Sequence, residues 1–288
     1  MSADDLTWRG HLEPLVYEPM VRRALEEDLG LAGDITTSAV VPPDATAAAS
    51  IVARQSGRIA GMDVAAAAFL IYDDRLRWEA LVEDGDDVEP GATLATITGP
   101  ARGVLTAERV ALNFLGHMCG TATVTRDMVA AVGNHRARIV GTRKTTPGIR
   151  ALEKHAVRMG GGYNHRFGLD DAVLIKDNHL AIAGGVRAAV ARARRAVGHV
   201  VMIEVEVDTL QQLEAALEVG VNAVLLDNMD LDTLRRAVEL TAGRAITEAS
   251  GGITPDTAEA IAATGVDLLS VGWLTHSAPN LDVGLDIA

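Results

Sequence analysis

The sequence predicts an α/β fold: a β-rich N-terminal region, then a parallel sheet covered by helices and curled into a barrel, complete or partial. Three observations predict it. From Arg138 onward, short and nearly continuous apolar strands alternate with amphipathic helices. Six strands recur in this way, spaced roughly 20–30 residues apart. Each of these strands ends in a charged residue or a small-residue step, whereas chance would scatter such residues over both ends. An open doubly wound sheet is the alternative arrangement. A length of 288 residues fits one barrel with a small companion domain.

Taken in order, Pro19–Leu29 reads as an amphipathic helix followed by the turn-rich Gly30–Asp34. Strands are expected at Ala49–Arg54, Gly57–Met62, Leu76–Val82 and Ala92–Thr98, with a helix at Val64–Tyr72 between them. The stretch Asp84–Gly91 looks like the turn of a biotinyl- or lipoyl-type sandwich. Such carriers need a modifiable lysine at a hairpin tip, and this region has none, so the sandwich is structural. Thr106–Thr125 reads as a helix. The strands of the second half are Arg138–Thr142, Ala172–Lys176, Val201–Val207, Ala223–Asp227, Ala245–Glu248 and Asp267–Val271. Its helices are Ala183–Val197, Thr209–Val219, Leu231–Ala242 and Pro255–Thr264.

Composition narrows the function. With 48 % hydrophobic residues the chain supports a packed core, and its single cysteine, Cys119, excludes an internal disulfide and fits a reducing, cytoplasmic setting. The longest apolar run, Val64–Tyr72, falls far short of the roughly 20 residues a membrane helix needs. The N-terminal MSADDLTWRG lacks the basic and apolar regions of a signal peptide. A net charge of −13 argues against nucleic acid and anionic membranes as partners. The charge is uneven, however: Arg136–Arg166 holds eight Lys/Arg against the single acid Glu153, a local +7. The chain has 23 arginines and only three lysines, Lys144, Lys154 and Lys176. A solvated basic helix face accounts for Arg150, Lys154 and Arg158. Arg143, Lys144 and Arg166 lie outside that helical pattern and read better as an anion site.

In a barrel the chemistry sits at the carboxyl ends of the strands. Those ends carry Arg143 and Lys144, Lys176, Glu206, Asp227, Ser250-Gly251-Gly252 and Gly272. Gly251 and Gly252 let backbone N–H groups approach an anion, Thr254 suits an N-cap and Pro255 the first helical position, so this loop and Val271–Gly272 read as a phosphate cradle. Glu206 and Asp227 end neighbouring strands and suit Mg²⁺ or hydroxyl groups. Alternation puts Glu204 on the same face as Glu206, so the two are not separated at this stage. His165 follows the polar, flexible Gly160–Asn164 loop. Lys176 reads either as a Schiff-base nucleophile or as one more cation. Cys119 reads as buried and inert. No CxxC, HExxH or G-x-S-x-G pattern occurs, which disfavours zinc and serine-hydrolase chemistry.

Together these residues resemble the quinolinate phosphoribosyltransferases, also called carboxylating nicotinate-nucleotide pyrophosphorylases. The resemblance covers nearly the whole chain. It is carried by Glu27–Gly30 with Gly33–Thr36, by Ala107–Leu115, by the TRKTTPG run Thr142–Gly148, and by His165-Arg166 and Lys176–His179. The order EVEV (Glu204–Val207), LDN (Leu226–Asn228) and EASGG (Glu248–Gly252) completes it. Gly116–Gly120 departs from the usual helix sequence, with no expected loss of chemistry. The resemblance implies an N-terminal α/β sandwich over 1–116, with the C-terminal tail 275–288 packing back on it, and an open (incomplete) TIM-like α/β barrel over 117–274. It implies transfer of phosphoribose from 5-phosphoribosyl 1-diphosphate to quinolinate, giving nicotinate mononucleotide, diphosphate and CO2, with Mg²⁺ and no organic cofactor. Arg143, His165, Arg166 and the partner's Arg109 would hold the quinolinate carboxylates, with Thr142 beside them. Lys144 and Lys176 would face carboxylate and diphosphate charge, and Glu206 and Asp227 the ribose hydroxyls and Mg²⁺. Ser250, Gly251, Gly252, Val271 and Gly272 would hold the 5′-phosphate. The expected assembly is a homodimer in which Arg109 completes the neighbour's site. A transferase acting on nicotinate without decarboxylation, and a Schiff-base lyase using Lys176, are the alternatives.

Overall fold

The computed structural model describes residues 11–288, and the segment MSADDLTWRG lies outside the described residues. The chain divides into two compact units. The first takes the chain up to Arg126 together with Thr145–Gly161 and Leu274–Ala288; the second is Asp127–Lys144 with Gly162–Trp273. Position 116, where the sequence suggests a boundary, lies inside the continuous helix α4 (Ala101–Ala131).

In the first unit, α1 (Pro14–Leu29) begins earlier than predicted, with Pro14 in its first turn, and Pro19 sits inside it. Proline removes the hydrogen bond back to Leu15, but both residues are exposed, so that carbonyl is not buried without a partner. Tyr17, Val21 and Leu25, four residues apart, bury one face. The next helix, α2 (Ile35–Val40), is capped by Asp34, whose Oδ1 accepts from Thr37 N at 2.8 Å. A four-stranded antiparallel sheet follows, built on β1 (Thr46–Ala53). The strand predicted at Gly57–Met62 shortens to β2 (Gly57–Arg58) because the Asp84 carboxylate accepts from Gly61 N at 2.8 Å and Met62 N at 3.0 Å. Those contacts start α3 (Met62–Tyr72) instead, an alanine-rich helix that is largely buried. The sheet continues through β3 (Arg77–Ala80) and β5 (Thr93–Pro100), while β4 (Asp87–Val88) pairs with β2. The C-terminal strand β13 (Val283–Ile287) pairs with β1, Ala49 facing Ile287, so the tail returns to this sheet. Gly116 and Gly120 permit that return: a Cβ at Gly120 would collide with the Pro279 backbone.

Helix α5 (Arg150–Met159) is not the solvated basic face expected for it, since Glu153 and Lys154 are buried. Glu153 accepts from His117 Nε2 at 2.8 Å and from Thr146 N at 2.9 Å, and His155 pairs with Asp84 at 2.7 Å. Cys119 is fully buried against Ala60, and burial pushes its thiol up to about 12, which makes it unreactive at neutral pH.

The second unit is a curled, seven-stranded parallel sheet, an open half-barrel. Its strands are β6 (Arg138–Gly141), β7 (Tyr163–Asn164), β8 (Val173–Ile175), β9 (Ile203–Val207), β10 (Ala223–Asp227), β11 (Ile246–Ser250) and β12 (Leu268–Val271). They lie in the order β7-β6-β12-β11-β10-β9-β8. Consecutive strands β7 and β8 are therefore the two edges, and the loop joining them, His165–Ala172, spans the open side. Six of these strands match the sequence reading; the two-residue β7 has too little pattern to be read. Helices α6 (Asp177–Ala183), α7 (Val186–Ala196), α8 (Leu210–Val219), α9 (Leu231–Thr241) and α10 (Pro255–Ala262) connect the strands from β8 to β12, and α11 (Trp273–His276) follows β12. The helix predicted at Ala183–Val197 is α7, and a separate helix outside the sequence prediction, α6, precedes it and ends where Gly184 and Gly185 take φ of +87° and +101°. No helix among the described residues is long and apolar enough to cross a membrane.

Candidate active site

The site grows out of strand register in the half-barrel. Glu206 lies opposite Leu225, and Leu225 opposite Glu248; Asp227 lies opposite Ser250. Alternation therefore sends Glu204, Glu206, Asp227, Glu248 and Ser250 to one face of the sheet. Their contacts divide them into two layers, an upper one in which Glu206 meets Lys176 and Asp227 meets Asn228, and a lower one in which Glu204 and Glu248 gather at His165, which separates Glu204 from Glu206 where the sequence could not.

In the upper layer, Lys176 Nζ donates to Glu206 Oε2 at 2.8 Å, and the lysine side chain is about half exposed. Asp227 Oδ2 accepts from Asn228 Nδ2 at 2.6 Å. Asn228 takes φ +52°, one of two described non-glycine residues with positive φ, and its N–H donates to Ser250 O at 2.9 Å. Asn228 thus fixes both the β10 and β11 ends. Gly251 has φ +103° and Gly252 φ +60°, and a Cβ at Gly251 would overlap the Asn228 side chain. Thr254 and Pro255 open α10 as predicted, with Thr254 N donating to Thr257 Oγ1 at 2.9 Å. Trp273 Nε1 donates to Ile253 O at 2.9 Å, tying the loop after Val271–Gly272 to the Gly251–Gly252 loop. Two backbone loops that would cradle an anion are therefore held as one piece. Asn228 stands in the LDN run without a readable role, and Trp273 escapes a reading by sequence because it carries no charge and belongs to no short motif.

On the open side, Thr142 Oγ1 accepts from Lys144 N at 3.1 Å, shaping the loop that carries Arg143 and the exposed Lys144. Arg166 donates through Nη1 to Ala172 O at 3.0 Å, and its buried Nε has no hydrogen-bond partner. Partial burial and the neighbouring Arg143 charge hold the Arg166 guanidinium below its usual range, with Asp171 and Glu204 opposing. Two like charges brought together and partly desolvated make a pocket that favours an anion.

The lower layer is a cluster in which donor atoms of His165, Glu204 and Glu248 all lie within 4.8 Å of one another. His165 Nε2 is 2.7 Å from Glu204 Oε2 and 3.8 Å from Glu248 Oε2, while its Nδ1 accepts from Arg166 N at 2.8 Å. An accepting Nδ1 puts the ring proton on Nε2, so that nitrogen donates to Glu204. Both ring nitrogens of His165 are thus engaged within the protein, Nδ1 by the Arg166 backbone and Nε2 by Glu204. Burial, then the charge of Glu204, pushes Glu248 up to about 7, with His165 opposing. His179 also has a structural partner: its Nδ1 accepts from Lys176 N at 2.9 Å.

Glu206 and Asp227 fit Mg²⁺ by donor chemistry, with hard carboxylate oxygens on adjacent strand ends and only one oxygen of each engaged by Lys176 or Asn228. Arg109 lies in the first unit on α4, with its side chain 65 % exposed and 3.8 Å from Glu108 Oε1. It does not belong to the half-barrel.

Comparison with known proteins agrees with this geometry. A family model described as quinolinate phosphoribosyl transferase, C-terminal domain, matches residues 121–286, and the corresponding N-terminal domain matches residues 34–119. The chain is 48 % identical over 275 residues to a nicotinate-nucleotide pyrophosphorylase [carboxylating] of Mycobacterium leprae, covering 93 % of this chain and 95 % of the relative. It is 43 % identical over 261 residues to a probable enzyme of that name from Bacillus subtilis, covering 91 % and 90 %. The crystal structure of NadC from Streptococcus pyogenes superposes with a TM-score of 0.93 at 40 % identity, over 97 % of this chain and 99 % of that one.

Proposed function

The chain belongs to the quinolinate phosphoribosyl transferase family, and from that premise we propose how its residues divide the reaction. It transfers phosphoribose from 5-phosphoribosyl 1-diphosphate to quinolinate with decarboxylation, giving nicotinate mononucleotide for NAD biosynthesis. The single observation that carries the division of labour is that the Arg143–Arg166 pair follows β6 and β7 while the Lys176–Glu206 ion pair stands at the ends of β8 and β9. A dicarboxylate meets the two guanidinium groups, each of which can bind a carboxylate through two parallel N–H bonds. The 5′-phosphate meets the backbone of Ser250–Gly252 and Val271–Gly272.

The pyridine nitrogen attacks the anomeric carbon as the bond to diphosphate breaks, and positive charge builds on the ribose. Glu206 and Asp227 face that charge and stabilise it, while Lys144 and Lys176 stabilise the departing diphosphate. Mg²⁺, held by Glu206 and Asp227, would neutralise diphosphate charge. Once the ring nitrogen carries a positive charge it stabilises the electron pair left on the neighbouring ring carbon as the carboxylate departs as CO2, and that carbon then takes a proton from water. Catalysis on this reading is placement of charge without a covalent enzyme intermediate. A Schiff-base role for Lys176 is disfavoured, because its partner is a carboxylate at 2.8 Å and the side chain is half exposed rather than sunk in an apolar pocket.

We assign the active form as a homodimer in the cytoplasm, the partner's Arg109 reaching the quinolinate carboxylates. The exposed Arg109 side chain and the lone buried thiol support that assignment. Mixing two inactive variants tests the reading. Arg109→Ala and Arg166→Ala, unfolded and refolded together, are expected to recover about one quarter of wild-type activity, because half the dimers carry one intact site. No recovery, with dimers formed, would place Arg109 in its own subunit's chemistry or outside it.

A further inference from the structure

We propose that Asp171 is a positioning residue for quinolinate: its carboxylate closes the loop that carries Arg166 and so fixes that arginine at the open side of the half-barrel. The inference rests on the assignment of Arg166 to a quinolinate carboxylate. The loop His165–Ala172 joins β7 to β8, the two edge strands, so no further strand fixes its path. Asp171 supplies the missing contacts from within the loop. Its Oδ2 accepts from Phe167 N at 2.6 Å and its Oδ1 from Gly168 N at 3.0 Å. The Phe167 N–H belongs to the peptide that follows the Arg166 Cα. The peptide that precedes that Cα is held too, since Arg166 N donates to His165 Nδ1 at 2.8 Å. With both flanking peptides held, the two backbone dihedrals that aim the Arg166 side chain lose their freedom. The guanidinium then meets the same turn again, Nη1 donating to Ala172 O at 3.0 Å, one residue beyond Asp171.

Packing and charge support the same role. The large apolar side chains of the loop, Phe167 and Leu169, are 51 % and 73 % exposed, so polar contacts rather than apolar burial hold it in place. Burial pushes the Asp171 carboxylate up, but the Phe167 and Gly168 N–H groups and the Arg166 charge outweigh that and hold it below the ordinary carboxylate range. An ionised Asp171 therefore offsets part of the repulsion that Arg143 exerts on Arg166. It does so while both of its oxygens are engaged by backbone N–H groups, and Arg166 Nε stays buried without a hydrogen-bond partner. The arginine is steadied without losing a donor that an incoming carboxylate needs.

The test is a double-substitution cycle in the full-length enzyme, read as kcat/KM for quinolinate and, separately, as KM for the diphosphate donor. Asp171 is itself exposed, so its replacement opens no hole in the core. Asp171→Ala is expected to lower kcat/KM for quinolinate about tenfold, as a misplaced binding group does, while the donor KM changes less than about twofold. Asp171→Asn keeps one acceptor oxygen for one of the two N–H groups but loses the charge, and is expected to cost about threefold. In enzyme already carrying Arg166→Ala, adding Asp171→Ala is expected to change kcat/KM for quinolinate by less than about twofold further. A residue that acts through Arg166 has nothing left to position once that side chain is gone. Wild-type kinetics in Asp171→Ala, equal losses for both substrates, or the full tenfold loss repeated in the Arg166→Ala background would each overturn the proposal. An unchanged kcat/KM for quinolinate in Arg166→Ala alone would instead overturn the reading on which it rests.

Discussion

Replacing Arg166 with alanine is expected to lower kcat/KM for quinolinate by roughly thirtyfold to several thousandfold, equivalent to about 2–5 kcal/mol. The size of the effect follows from the setting. Arg166 is partly buried, its Nε lacks a hydrogen-bond partner, and Arg143 presses a like charge against it. Without an anion that arrangement is unfavourable, so a carboxylate gains both a bidentate contact and relief of repulsion. Removing Arg166 leaves the carboxylate desolvated opposite one cation fewer, which is the costly form of a broken ion pair. The diphosphate donor does not depend on this pair, and its KM is expected to stay within about twofold. Steady-state kinetics with each substrate varied in turn separates the two. Equal losses for both substrates would mean a general collapse of the site.

Gly251→Ala is expected to weaken use of the diphosphate donor by about tenfold to a thousandfold in kcat/KM, with two causes that add. At φ +103° a side chain is strained by roughly 1–3 kcal/mol. The new Cβ also overlaps the Asn228 side chain, whose amide holds Asp227 and whose backbone N–H holds Ser250 O. Relief of the overlap must move the phosphate loop, the Asp227 carboxylate or both. The donor KM is expected to rise most, and a donor KM within twofold of wild type would remove Ser250–Gly252 from the phosphate site.

How far sequence reaches is visible in individual residues. The strands of the half-barrel were legible because their residues are buried on both faces, so apolar runs show through at each repeat. The phosphate loop was legible because its chemistry is local: Gly251, Gly252, Thr254 and Pro255 act on their own backbone. Glu204 and Glu206 were inseparable because a period of two puts both on one face. Only contacts from distant segments, Lys176 on Glu206 and His165 on Glu204, assign them to different layers. Glu248 stood within the family motif yet had no readable role, since its partners lie 44 and 83 residues away in the chain. His165 shows the converse. A histidine beside an arginine in a polar loop looked like a substrate ligand, but both ring nitrogens are committed within the protein. Asp84 and His155 pair across 71 residues, and no local pattern announces them.

The net charge of −13 would have argued against two polyanionic substrates. The half-barrel answers it locally, with Arg143, Arg166 and Lys176 gathered where the strands end. The account's central claim is that this cationic site couples phosphoribosyl transfer to loss of a carboxylate. Quinolinate labelled in its 2-carboxylate, supplied with 5-phosphoribosyl 1-diphosphate and Mg²⁺, tests it most directly. One labelled CO2 is expected for each nicotinate mononucleotide formed, with no release when the diphosphate donor is withheld. Mononucleotide formed with the label retained, or nicotinate used in preference to quinolinate, would contradict it.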